Sequence, residues 1–223
     1  MVRLELEKEK IELKEYSDDA SLQELTKEVE SFRLTNHLKT RYCKGCGECC
    51  NQPIPVMGLD IMILQENTGL SLYKVLEKYI VFPQKPNLNS RRDGIKEFVN
   101  MCGLSKSEAA LLYEYNQCEP LILPRKKDGT CSFLNNQTGL CTIYEYRPFT
   151  CGLYICTMGD ELSMLQEMIV RQGTWYAYSL LGWVDRGEIS HNPFLNADSY
   201  DRVYIKDFKF NSERAIEQLF FYF

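Results

Sequence analysis

Four cysteines fall within eight residues in the stretch Arg41-Tyr-Cys43-Lys-Gly-Cys46-Gly-Glu-Cys49-Cys50. Thiolates this close repel one another and are hard to bury unless a cation neutralises them, and cysteine reaches a metal as thiolate. The stretch therefore reads as a metal site. Cys-x2-Cys spacing lets two sulfurs converge on one centre while the backbone, loosened by Gly45 and Gly47, wraps around it. Cys43, Cys46 and Cys49 repeat the x2, x2 rhythm of bacterial ferredoxin loops, which continues with x3-Cys-Pro, whereas here Cys50 follows at once. In an extended segment Cys49 and Cys50 point in different directions, so they can serve two metals, or one metal and one structural role. Four ligands from this loop on a single ion would be strained.

A second set supplies partners: Cys131-Ser-Phe-Leu134, then Gly139-Leu-Cys141-Thr-Ile-Tyr144 and Arg147-Pro148-Phe-Thr-Cys151, with Cys156 close behind. In this order the motifs resemble the CxxCxxCC cysteine-cluster family of the YkgJ type, which includes a flagellin lysine N-methylase branch. The resemblance covers a core of about residues 40–156. It implies a domain that chelates zinc or iron, the latter as an iron–sulfur cluster, through Cys43, Cys46, Cys49, Cys50, Cys131, Cys141 and Cys151. Members usually carry Arg directly after the last cysteine, and here that position is Gly152. Arg147 has two readings: it balances the anionic sulfurs, or it pairs with a carboxylate such as Glu145. The resemblance favours the first and makes Arg147 a cofactor-binding candidate.

Seven or eight cysteines exceed the four ligands of one tetrahedral zinc, and only His37 and His191 could contribute to a mixed site. Soft thiolates suit zinc and iron–sulfur centres alike, so the x2, x2 spacing tilts the choice toward a cluster. His37, six residues before Cys43, is a possible ligand, but a lone histidine near a helix end is more often a surface or capping residue. Cys156 is undecided. Cys102 and Cys118 match no family position and read as apolar fillers. Three function classes follow: a metal- or cluster-binding protein with a redox or metal-handling role, a protein-lysine methylase using S-adenosylmethionine on a protein substrate, and a structural zinc protein. Phosphate-loop, His-Glu-x-x-His and Gly-x-Ser-x-Gly motifs are missing, as is a Cys-x3-Cys-x2-Cys triplet.

The elements that position these residues are those of an α+β protein, a mainly helical single domain over residues 1–223 with short strands and a cysteine-rich metal-binding core. An apolar share of 44% is enough for a hydrophobic core without disulfides. The charged N-terminus lacks a signal-peptide apolar region, and no run approaches membrane-spanning length. Ten cysteines without an export signal point to the reducing cytoplasm and to metal ligation. A net charge of −5 without a basic stripe argues against nucleic acid as partner.

Alternation over residues 2–15 predicts a bent strand or hairpin, and Ser21-x-x-Glu24 predicts a capped helix running toward His37. After the cysteine loop, Leu59 to Leu64 opens a helix ending at Asn67-Thr-Gly69, and Ser71 starts another that Pro83 and Pro86 stop. Pro86 to Arg92 reads as an exposed loop, and Ser105-x-x-Glu108 caps a short helix through Tyr115. Leu121 to Leu123 is extended, Lys127-Asp128-Gly129 and Asn135 to Gly139 are turns, and Arg147-Pro148 restricts the approach to Cys151. Leu162, Leu165, Met168 and Ile169 form a helical stripe, Val203 to Ile205 reads as a strand, and Ser212 starts a last helix.

Overall fold

The computed structural model describes residues 1–36, 49–86, 88, 90–153 and 158–208. Cys43, Cys46, Cys156, His37 and the helix expected from Ser212 lie outside these residues. Strands β1 (Val2–Glu7) and β2 (Lys10–Tyr16) pair antiparallel, and their alternation turns Leu4, Ile11 and Leu13 inward. The two-residue turn puts Lys8 and Glu9 at φ 49° and 69°, the geometry that matches strand twist in a tight hairpin. Helix α1 (Leu22–Thr35) starts at a reciprocal capping box: Ser21 accepts from Glu24 N–H, and the Glu24 carboxylate accepts from Ser21 N–H. Such a cap contributes roughly 0.5–2 kcal/mol.

Strand β3 (Pro55–Val56) leads into α2 (Gly58–Thr68), which ends at left-handed Gly69, followed by α3 (Leu72–Tyr79). Ser71 makes no side-chain cap bond, and α3 stops at Tyr79 before either proline, where Ile80 turns extended and Val81 bridges Ile122. A helical hairpin follows, α4 (Arg91–Cys102) and α5 (Lys106–Gln117), the second opening with the expected Ser105/Glu108 box. Helix α4 was not foreseen, because the reading as exposed loop ran through Arg92. Arg91 begins the helix instead and anchors it, its guanidinium held against buried Glu114 of α5.

Strand β4 (Leu121–Ile122) pairs antiparallel with β3, Val56 opposite Leu121. The short helix α6 (Phe149–Gly152) and the long α7 (Asp160–Leu180) complete the named helices. The fold is α+β and mainly helical, with two small antiparallel sheets. Val203 to Ile205 is not a strand. A single bridge joins Tyr204 to Ser21 between two 3-10 turns, while Val203 and Ile205 keep the alternate burial that suggested a strand.

Three apolar clusters organise the packing. The first joins the hairpin, α1 and the outer face of α7 through Ile11, Leu22, Leu25, Leu162 and Ile169. The second joins α2, α3, β3, β4 and the end of α7 through Val56, Leu64, Val75, Leu121, Trp175 and Tyr178, with Cys131 inside it. The third lies between α4 and α5. Complete burial of one such side chain stabilises by about 1.5–3 kcal/mol. Helices α2 and α7 approach closely at Gly58, where a Cβ would overlap the Tyr176 ring and stand 3.0 Å from Ala177 N. No helix among the described residues is long and apolar enough to cross a membrane.

Candidate metal centre

The β3–β4 pair lies between Cys49–Cys50 and Cys131 and brings these described cysteines side by side. Cys49 and Cys50 sit in a 3-10 turn before β3, and Cys131 follows β4. The Cys131 N–H donates to the Cys50 carbonyl oxygen at 2.7 Å, so the two segments are joined by backbone at the cysteines themselves. Arg125 reinforces the junction by donating to the carbonyl oxygens of Asn51 at 2.9 Å and of Gly129. The expected turns are present, with Gly129 and Gly139 at φ 84° and 68°, and an antiparallel bridge pairs Leu134 with Cys141.

The sulfurs of Cys49, Cys131 and Cys141 each act electrostatically on Cys151, and that of Cys131 acts on Cys141. Burial raises the Cys131 and Cys141 thiols above the ordinary range. Cys151 is pushed well above it, first by burial and then by the sulfurs of Cys49 and Cys141. Opposing these effects, backbone N–H groups point at sulfur: those of Phe133 and Leu134 at Cys131, and that of Ile143 at Cys141. N–H groups aimed at a sulfur favour its anionic form. Their placement two or three residues beyond each cysteine is a local consequence of the Cys-x-Phe-Leu and Cys-x-Ile turns.

Arg147 supplies a positive charge. Its guanidinium lies 4.1 Å from the centroid of the Tyr144 ring and 3.9 Å from Glu30 Oε1, and it favours the thiolates of Cys141 and Cys151. The carboxylate beside it is therefore Glu30 of α1, which Tyr144 also meets through its hydroxyl at 3.3 Å.

Sequence reasoning missed Asp60. It is 2% exposed, on α2, and its carboxylate accepts from Met57 N at 2.8 Å, Phe149 N at 2.9 Å and Tyr200 Oη at 2.6 Å. The Phe149 bond fixes the start of α6, the helix that carries Cys151. Thr150 adds a second tie, its hydroxyl donating to the Pro55 carbonyl oxygen at 3.1 Å. Burial pushes the Asp60 carboxyl up to about 6, against the lowering effect of its three donors. The available signal was a lone carboxylate inside the apolar run Leu59-Asp-Ile-Met-Ile63.

The remaining polar residues sit elsewhere. Cys118 ends α5, its sulfur 3.6 Å from the Arg171 carbonyl oxygen, and burial pushes its thiol up to about 12. Cys102 ends α4 against the third cluster. His191 Nε2 is 3.0 Å from Glu114 Oε2, in a cluster with Arg91. Gly152 faces Thr26 of α1, where a Cβ would be in ordinary contact at 3.4 Å.

A family model matches residues 42–170, more than half of the 223 residues, from the first cysteine loop into α7. The chain belongs to the CxxCxxCC family. That family is described as a zinc- or iron-chelating domain, which supports a metal-binding role for this CxxCxxCC chain. No curated protein and no solved structure gives a significant match.

The donor chemistry fits a thiophilic ion. The candidate ligands are sulfur throughout, and N–H groups and Arg147 are aimed at the charge those sulfurs would carry. Among the described residues, no three Cys, His, Asp or Glu side chains stand close enough together to hold an ion.

Proposed function

We propose that Cys43, Cys46, Cys49, Cys50, Cys131, Cys141 and Cys151 hold one composite centre, and that this centre is an iron–sulfur cluster serving a redox or metal-handling role. The observation that supports the proposal is the backbone bond joining Cys131 to Cys50, together with the electrostatic action of the Cys49, Cys131 and Cys141 sulfurs on buried Cys151 and the N–H groups directed at two of the sulfurs. Seven sulfurs exceed the four that close a structural zinc site, and the x2, x2 loop spacing matches cluster loops. When bound, the cluster would supply electron transfer or metal delivery. The protein's own residues would shape its setting: Arg147 offsets thiolate charge, Asp60 holds α6, and the β3–β4 pair holds Cys50 beside Cys131.

We take residues 1–223 as one domain, because α2 and α7 each contribute side chains to both the first and the second cluster. The cytoplasm is the proposed compartment, since reduced thiols persist there. Purification without oxygen, followed by iron, zinc and acid-labile sulfide analysis, tests the proposal. The expected protein is brown, carries iron and sulfide, and bleaches in air. Colourless protein with stoichiometric zinc and no sulfide would overturn the cluster and leave structural zinc. Methyl transfer from S-adenosylmethionine to lysine in the same preparation would place the protein in the methylase class instead.

A further inference from the structure

On α4, two adjacent rows spaced four residues apart face one cleft: Arg91, Ile95 and Val99 form one row, and Arg92, Lys96 and Asn100 the other. The cleft has a volume of about 540 Å³, within the range of small-molecule sites, and is also lined by Lys106 of α5 and by Glu188, its single acid. Arg91 is spoken for: its Nη2 donates to Glu114 Oε1 at 2.7 Å and to the Glu188 carbonyl oxygen at 2.9 Å. Arg92, Lys96 and Lys106 are exposed. Lys96 Nζ stands 3.8 Å from Asp93 Oδ1, an exposed pair of little strength.

This placement of charge opposes what stabilises a helix. Arg91 and Arg92 in the first turn face the positive end of the macrodipole, which Asp93 alone offsets there, and Arg92 and Lys96 are like charges four residues apart. In a chain of net charge −5, three exposed cations lining one cleft beside Ile95 and Val99, against the single acid Glu188, are a feature that folding alone does not reward. An anion in the cleft would relieve both conflicts.

We propose that this cleft binds a small amphiphilic anion, a carboxylate or phosphate head on an apolar stem. The head lies between Arg92, Lys96 and Lys106, and the stem lies on Ile95 and Val99. The site is separate from the cysteine centre and does not depend on which metal that centre holds.

The test is titration of the full-length protein with octanoate, octyl phosphate, octanol, octylammonium and inorganic phosphate, followed by amide chemical shifts and calorimetry. Octanoate or octyl phosphate is expected to bind saturably with shifts confined to α4, the start of α5 and the segment around Glu188, and to weaken as salt rises. The stronger of the two identifies the head group. Arg92→Glu should weaken that ligand at least tenfold while leaving metal content unchanged and the urea midpoint equal or higher, because the substitution puts an acid at the helix start. Equal binding of octanol, preference for octylammonium, inorganic phosphate matching octyl phosphate, or unchanged affinity in Arg92→Glu would each overturn the proposal. Failure of every probe to bind would do so as well.

Discussion

Replacing Asp60 by Asn tests whether a buried charge is spent on holding α6 in place. The folded carboxyl sits at about 6, against 3.8 for the unfolded residue. Between those values the folded state binds more protons than the unfolded one, so the contribution of Asp60 to stability is largest in acid and falls as pH rises through 6. Above both values the cost levels off at about 3 kcal/mol, and about 2 kcal/mol of it develops between about pH 4.5 and 8. Asn cannot titrate, so the variant escapes this cost. Its amide nitrogen, however, must face one of three donors, Met57 N, Phe149 N or Tyr200 Oη, and one mismatched buried donor costs about 1–3 kcal/mol. The variant should therefore gain about 2 kcal/mol on the native protein between pH 4.5 and 8, from up to about 2 kcal/mol less stable near pH 4.5 to equal or more stable near pH 8. Urea unfolding of both proteins at the two pH values measures the difference directly. A stability gap that stays constant with pH would refute the reasoning, since it would mean that Asp60 ionises alike in both states.

Other perturbations probe separate parts of the structure. Glu114 is fully buried between Arg91 and His191, so Glu114→Ala leaves the largely buried Arg91 guanidinium with the Glu188 carbonyl oxygen but no counter-charge and should destabilise by about 3 kcal/mol in denaturant unfolding. Gly58→Ala drives a methyl into Tyr176 and the α7 backbone and should cost about 1–3 kcal/mol, read as a lowered thermal midpoint. Cys102→Ala and Cys118→Ala should retain full metal content by elemental analysis, whereas Cys131→Ala and Cys151→Ala should lose metal; a loss in Cys118→Ala would make that thiol a ligand.

Local chemistry was legible wherever a few neighbouring residues decide the outcome. Ser21 with Glu24, Ser105 with Glu108, and Gly69 mark helix ends through bonds made within one turn, and the structure places those ends accordingly. The hairpin was open to two readings because Glu7 to Lys10 interrupt the alternation, and the left-handed pair Lys8–Glu9 resolves it as two strands. Helix α4 was hidden because Arg91 and Arg92 contradict a helix start and Gly94 and Asn100 weaken the pattern; packing of Ile95 against α5 and the Arg91–Glu114 pair make the helix. Alternation at Val203 and Ile205 reported burial correctly but not pairing, since the single bridge to Ser21 extends no ladder. At the candidate centre, cysteine spacing marked the candidate sulfur ligands and could not mark Asp60: only Met57 N is local to it, while its other two donors, Phe149 N and Tyr200 Oη, come from distant parts of the chain.

Helix α7 begins at Gly159, which has no side chain to cap it. Glu12 of β2 does so instead, its carboxylate accepting from Asp160 N at 2.9 Å and Glu161 N at 3.3 Å. The same carboxylate fills the space a Cβ at position 159 would need. The longest of the described helices is thus capped by a residue 148 positions earlier. A cap supplied across so long a loop must wait for chain closure, whereas the Ser21 and Ser105 caps form as soon as their own turns do. The first turn of α7 should accordingly consolidate after the folding transition state, so that Glu12→Gln speeds unfolding and leaves the refolding rate nearly unchanged. During synthesis the hairpin emerges long before the helix it starts, and the two meet only when most of the chain between them has been made.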